Sequence, residues 1–219
     1  MSASKFLGVA RSELLVGGDD IDWGGYYSGV GNSKLVRWID RKKTRLLHET
    51  LAALNPGARV LDIGCGTGAV LRSLGVESQL SLFGIEPNTH LAGIASTGGL
   101  NVVSADFDGV LPFAADTFDA VIMIDTIEHV RCRLAVIKEI RRVLTKQGIV
   151  VLFTPPYDSF SWIIGEHLIY FLTGRLHVGH ISPFTSESLT WLLKTTFKEI
   201  TIRRLNLGLT MMGTGKGVK

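Results

Sequence analysis

The chain has 219 residues, 46% of them hydrophobic, enough to close one buried core of ordinary domain size. Its 23 basic and 20 acidic side chains are dispersed and sum to +3, too small a surplus for an electrostatic footprint on nucleic acid. The two cysteines, Cys65 and Cys132, have neither disulfide-framework nor metal-ligand spacing, which argues for a reducing compartment and against a zinc site.

The N-terminal MSASKFLGVARSELL lacks the apolar run and small-residue cleavage site of a secretory signal, so a cytoplasmic location is expected. The longest apolar stretch, Phe160 to Leu172, is broken by Glu166 and His167 and falls short of the roughly 20 residues that cross a bilayer. No transmembrane segment is expected.

Residues 1–32 are rich in Gly, Ser and Asp, with Trp23, Tyr26 and Tyr27 among glycines, and read as a flexible lead-in. From Ser33, an N-cap residue type, Leu35, Trp38, Ile39, Leu46, Leu47, Leu51 and Leu54 recur at helical spacing until Asn55-Pro56-Gly57. The expectation is one helix over 33–55. Short apolar runs come next at Arg59 to Ile63, Leu80 to Ile85, Asn101 to Ser104, Ala120 to Ile124 and Gly148 to Phe153, separated by helix-like segments. Strands alternating with helices imply parallel pairing, and nearly continuous apolar strands imply a sheet covered on both faces. The expected fold is a single α/β domain over 1–219, doubly wound and mostly parallel. Thr185 to Phe197 reads as a helix and Glu199 to Leu205 as a sixth strand. Beyond it Gly208, Gly213, Gly215 and Gly217 lower β propensity, so the last strand is expected to be short or missing. An open sheet edge of that kind leaves room for a homodimer contact.

The strand Val60-Leu61-Asp62-Ile63 runs directly into Gly64-Cys65-Gly66-Thr67-Gly68 and then into a helical segment. Glycines at a strand-to-helix turn tolerate positive φ and let backbone approach a ligand at the carboxyl edge of the sheet. Gly64, Gly66 and Ala69 also satisfy G-x-G-x-x-A, with Glu86 suitably downstream for a ribose contact in a dinucleotide fold. Glycine spacing alone does not separate the two; the acid at Asp62 and the third glycine at Gly68 do.

At this point the sequence resembles class I S-adenosylmethionine-dependent methyltransferases, whose first motif reads Asp-x-Gly-x-Gly-x-Gly. The resemblance continues in order. Phe83-Gly84-Ile85-Glu86-Pro87-Asn88 is similar to the family's second-strand ending, and Ser104-Ala105-Asp106-Phe107 to its third. Phe118 to Val130, with Glu128-His129-Val130, is similar to the fourth strand and the segment after it. Leu144 to Leu152 matches the helix end, glycine turn and fifth strand. His177-Val178-Gly179-His180-Ile181-Ser182-Pro183-Phe184-Thr185 resembles the stretch entering the last long helix in the relatives of ubiquinone-pathway O-methyltransferases. The resemblance implies S-adenosylmethionine as cofactor, held by Asp62, Gly64, Cys65, Gly66, Gly68, Glu86, Pro87, Asp106, Phe107, Asp125 and Thr126. In it, Glu86 accepts from both ribose hydroxyls, Asp106 accepts from the adenine amino group, and Phe107 packs on the ring.

Thr154-Pro155-Pro156-Tyr157 is not the signature of amino-group methyltransferases, because it comes after the fifth strand and begins with Thr; two prolines make a rigid strand exit. Residues 157–183, with Trp162, Tyr170 and Phe171, are expected to cover the substrate pocket, and an apolar cover suggests an apolar or aromatic small-molecule acceptor. The alternative is that these side chains simply pack on the sheet. Methyl transfer needs a base only for a poorly acidic acceptor, and His129 and His180 are the candidates. Thr185 with Ser188 makes an ordinary helix start, so His180 has a structural reading too. Two other functions stay open: a nicotinamide-dependent oxidoreductase, and a methyltransferase-fold subunit that binds without turnover.

Overall fold

The computed structural model describes residues 34–75, 78–165 and 183–218. The lead-in over 1–32, Ser33, His180 and the cover segment beyond residue 165 lie outside the described residues. Helix α1 (Lys34–Leu51) buries Leu46, Leu47 and Leu51 and stops ahead of Asn55-Pro56-Gly57, where Gly57 adopts φ +82°.

The chain then alternates as expected: β1 (Arg59–Ile63), α2 (Ala69–Gly75), β2 (Ser81–Ile85), α3 (Thr89–Thr97), β3 (Asn101–Val103), β4 (Phe118–Ile124), α4 (Arg133–Val143), β5 (Leu144–Thr154), α5 (Ser186–Lys194), β6 (Phe197–Leu205) and β7 (Thr210–Val218). The sheet order is β3-β2-β1-β4-β5-β7-β6, with β1 to β5 parallel and β7 antiparallel to both its neighbours. Alternate residues feed two apolar layers. Leu61, Val121, Val150 and Leu152 pack with Ile137, Ile140, Leu189 and Leu193 of α4 and α5, while Val60, Ile122, Val151 and Phe153 pack with Leu47 and Leu51 of α1 and Leu74 of α2. Helices on both faces explain why the central strands carry no polar alternation. Thr145 to Gly148 form an excursion where the β4–β5 register jumps from Phe118↔Leu144 to Ala120↔Ile149, the glycine turn read from the sequence. Helix α5 opens on a capping box: Thr185 Oγ1 accepts from the Ser188 amide at 3.0 Å and Ser188 Oγ accepts from the Thr185 amide at 2.8 Å.

The expectation of a short or missing last strand is wrong. Strand β7 spans nine residues and pairs along β5 from Thr154↔Met211 to Ile149↔Lys216. Its glycines are not breakers here, because Gly213 and Gly215 lie on the face packed by α5 and the start of β6. A Cβ on Gly213 would stand 3.0 Å from Leu189 Cδ2, and one on Gly215 would stand 2.7 Å from the Phe197 ring. Absent side chains let the helix and Phe197 lie directly on the strand. The completed strand lies between β5 and β6, so the sheet ends in β6 on that side.

Candidate cofactor and active site

The turn after β1 sits at the carboxyl edge of the sheet, where open α/β folds hold ligands. Gly64, Gly66 and Gly68 adopt φ of +75°, +54° and +79°, which a side chain would strain. Space is short as well. A Cβ on Gly64 would meet Thr126 Cγ2 at 2.5 Å, and one on Gly68 would meet Leu100 Cδ1 at 2.3 Å. The loop is tied back onto β2: the Gly64 and Cys65 amides donate to the Ile85 carbonyl at 2.8 and 3.2 Å. Cys65 is buried with its sulfur toward Gly84, whose Cβ would stand 2.6 Å from Sγ, so it can offer a ligand its backbone and not its thiol. Burial, and after it the charges of Asp62 and Glu86, pushes that thiol up to about 12, far from a reactive thiolate.

Glu86 closes β2 with its carboxylate buried and organised. Oε2 accepts from the Gly66 amide at 2.9 Å and Oε1 from the Asn88 amide at 2.9 Å. Each oxygen keeps a second lone pair, so the group can still receive two vicinal hydroxyl donors. Asn88 also caps α3, its Oδ1 accepting from the His90 and Leu91 amides, while Pro87 stands exposed between the two. Asp62 is 2% exposed, and burial, then the nearby Glu86 charge, raises its pKa well above the ordinary carboxylate range.

After β3, Asp106 is exposed and Phe107 is half-buried against the core. The loop's anchor is Asp108, to which the sequence assigned no role. Its carboxylate accepts from the Arg131 and Cys132 amides, both at 3.0 to 3.2 Å, and so joins the β3 loop to the start of α4. Only the local pattern Asp106-x-Asp108 hinted at it.

The end of β4 holds the densest electrostatics. Asp125 adopts φ +49°, its amide donates to the Phe153 carbonyl at 2.9 Å, and Oδ2 pairs with the Lys43 ammonium of α1. Thr126 is buried, its methyl against Gly64 and its hydroxyl donating to the Ile124 carbonyl at 3.0 Å. One turn of 3-10 helix, Ile127–His129, comes next, with His129 half-buried at its end. Glu128 is fully buried. Its Oε2 accepts from Thr154 Oγ1 at 2.9 Å, Oε1 has no hydrogen-bond partner, and burial, then the Asp125 charge, lifts its pKa to about 8. The structure therefore gathers Asp62, Gly64, Cys65, Gly66, Gly68, Glu86, Asp125 and Thr126 at one edge, with His129 at the end of β4. Lys43 and Glu128 went unassigned in the sequence. Lys43 had one legible signal: it shares a four-residue spacing with Ile39, Leu47 and Leu51, the apolar stripe of α1.

A mostly parallel sheet with antiparallel β7 inserted between β5 and β6, a three-glycine turn after β1 and an acid closing β2 define the class I methyltransferase architecture. The dinucleotide fold ends in the order 4-5-6 without that insertion. A family model described as a methyltransferase domain matches residues 35–196, and the chain belongs to that family. Among its relatives, cycloartenol-C-24-methyltransferase 1 of Oryza sativa subsp. japonica is 34% identical over 134 residues, covering 55% of this chain and 36% of that protein. An O-methyltransferase of Pyrenophora dematioidea is 36% identical over 130 residues, covering 55% and 48% respectively. The chain therefore spans less than half the length of these two relatives. A solved structure described as a SAM-dependent methyltransferase, possible histamine N-methyltransferase, from Thermotoga maritima superposes with a TM-score of 0.63 at 22% identity, covering 82% of this chain and 96% of that one, and so shares the fold.

S-adenosylmethionine is the cofactor of this family, and the residues present fit it. Glu86 offers two oxygens with free lone pairs for a ribose diol, and Gly64, Gly66 and Gly68 carry the backbone past it at positive φ.

Proposed function

We propose that the protein transfers the methyl group of S-adenosylmethionine to an oxygen or carbon of an apolar or aromatic small molecule, as a single methyltransferase domain acting in the cytoplasm. The observation that carries the acceptor class is an apolar lip beyond the end of β5. Phe160 and Leu207 are 78% and 88% exposed, Ile163 and Ile164 lie between a third and half exposed, and Ser161 Oγ donates to the Leu207 carbonyl, drawing the two segments together. Apolar side chains held in water beside a functional edge are costly unless they meet an apolar partner. Cycloartenol methyltransferase, by its name, acts on such an acceptor.

When bound, S-adenosylmethionine supplies a methyl carbon activated by a sulfonium. The chain's part is to hold the donor through Glu86 and the glycine loop, to align the acceptor beyond β4 and β5, and to exclude water. On this reading His129, half-buried just beyond β4, takes the acceptor's proton where the acceptor is a hydroxyl, with His180 the other candidate. No helix among the described residues is long and apolar enough to cross a membrane. The reading is tested with labelled S-adenosylmethionine against a panel of sterols, prenylated phenols, simple catechols, amines, peptides and transfer RNA. Label entering an apolar hydroxylated or olefinic acceptor supports it; label entering only peptide, amine or RNA contradicts it.

A further inference from the structure

We propose that Lys43 is a positioning residue for methyl transfer, acting through Asp125; this rests on the proposed function and on the family resemblance that assigns Asp125 and Thr126 to the cofactor. Lys43 is 7% exposed, on the apolar stripe of α1 that packs on the sheet. Its ammonium pairs with Asp125 Oδ2 and lies 3.7 Å from Asp40 Oδ1. Burial alone would lower its pKa, but the Asp125 and Asp40 charges outweigh that and hold it raised, so the group stays charged.

Stability does not explain a cation in this position. A buried ion pair rarely improves on a well-packed apolar side chain of similar volume, because desolvation cancels most of the attraction. The pair does fix a conformation. Asp125 is one of four non-glycine residues with positive φ among those described, and its side chain leaves a solvent-facing turn to meet the buried ammonium. The next residue, Thr126, presses its methyl against Gly64 in the cofactor loop, so close that any Cβ there would collide. Lys43, Asp125, Thr126 and Gly64 thus form a continuous line from α1 to the glycine turn. The Asp125 side chain is still 42% exposed, so its carboxylate stays open to a ligand while the ammonium holds it. Strained backbone held by an otherwise unfavourable buried charge is a pattern found where geometry serves function.

The test measures S-adenosylhomocysteine affinity by calorimetry, and melting temperature, for Lys43→Met, Asp125→Asn and the double variant, with Lys43→Arg as the conservative exchange. Lys43→Met is expected to weaken binding about tenfold, within the usual range of coupling between sites, with a melting temperature equal to or above the parent's. Lys43→Arg recovers part of the affinity, and the double variant binds no worse than Asp125→Asn alone. Lys43→Gln replaces Lys43→Met should the latter not fold. Parent-like affinity in Lys43→Met, or losses that add in the double variant, overturns the proposal. If Asp125→Asn alone binds like the parent, the turn does not border the cofactor; a loss confined to Lys43→Met would then show that Lys43 acts by another route, which also overturns it.

Discussion

The amide of Gly66 donates to Glu86 Oε2 at 2.9 Å, so the acid that closes β2 and the glycine turn that leaves β1 are a single unit. Glu86 therefore holds the turn, and on the proposed function it also receives the ribose. Glu86→Ala removes both and is expected to weaken S-adenosylhomocysteine binding by about 1.5 to 3 kcal/mol, the usual range for hydrogen bonds to a charged group. Glu86→Gln keeps one acceptor oxygen and should lose less. Calorimetry on the two variants checks this, and equal affinity in Glu86→Ala and the parent would leave Glu86 a loop tether only.

Glu128 gives the stability a definite pH dependence. Its folded pKa is raised to about 8 from an ordinary value of 4.5, so between those limits the native chain holds a proton that the unfolded chain has released. The native state binds more protons there, and stability falls as pH rises through the window, being fully present below it. Asp62 is shifted in the same direction and adds to the slope. Glu128→Gln keeps an acceptor for Thr154 and should flatten the dependence, gaining on the parent progressively from pH 5 to pH 8. Melting temperatures of both proteins across that range decide it; parallel curves would contradict it.

Gly215 is where β7 admits Phe197. Gly215→Ala needs no unusual φ, yet its Cβ would lie 2.7 Å from Phe197 Cγ, so the ring or the strand must move. Overpacking of this kind costs about 1 to 3 kcal/mol. At Gly57, which has φ +82° but nothing within 4 Å, alanine meets only backbone strain and serves as a comparison. Denaturant unfolding of Gly215→Ala with unchanged midpoint would mean that β7 is not packed against Phe197.

How far these features could be read from the sequence depends on how local their causes are. The glycine turn was legible because Asp62, Gly64, Gly66 and Gly68 act within seven residues, and Glu86 because it ends the next strand at a fixed distance. Strand β7 was not legible. Its glycines oppose β propensity, and the compensation, Leu189, Leu193 and Phe197 filling the space, is supplied by segments about 20 residues away whose packing no local pattern announces. Lys43 was hidden differently. It sits in the basic run Arg41-Lys42-Lys43, which reads as a solvated face, and its partner Asp125 is 82 residues distant. Glu128 lay inside a recognised segment, but burial and the unpartnered Oε1 are properties of the β4–β5 edge and not of the motif.

On the proposed function the glycine turn after β1 holds S-adenosylmethionine. Titration calorimetry of the parent chain with S-adenosylhomocysteine and with NAD, and then of Glu86→Ala with the same two ligands, tests it most directly. The expected result is saturable binding of S-adenosylhomocysteine near one per chain, weakened in Glu86→Ala, with no heat of binding from NAD and a melting temperature raised only by the former. Binding of NAD in place of S-adenosylhomocysteine would contradict the assignment of the site.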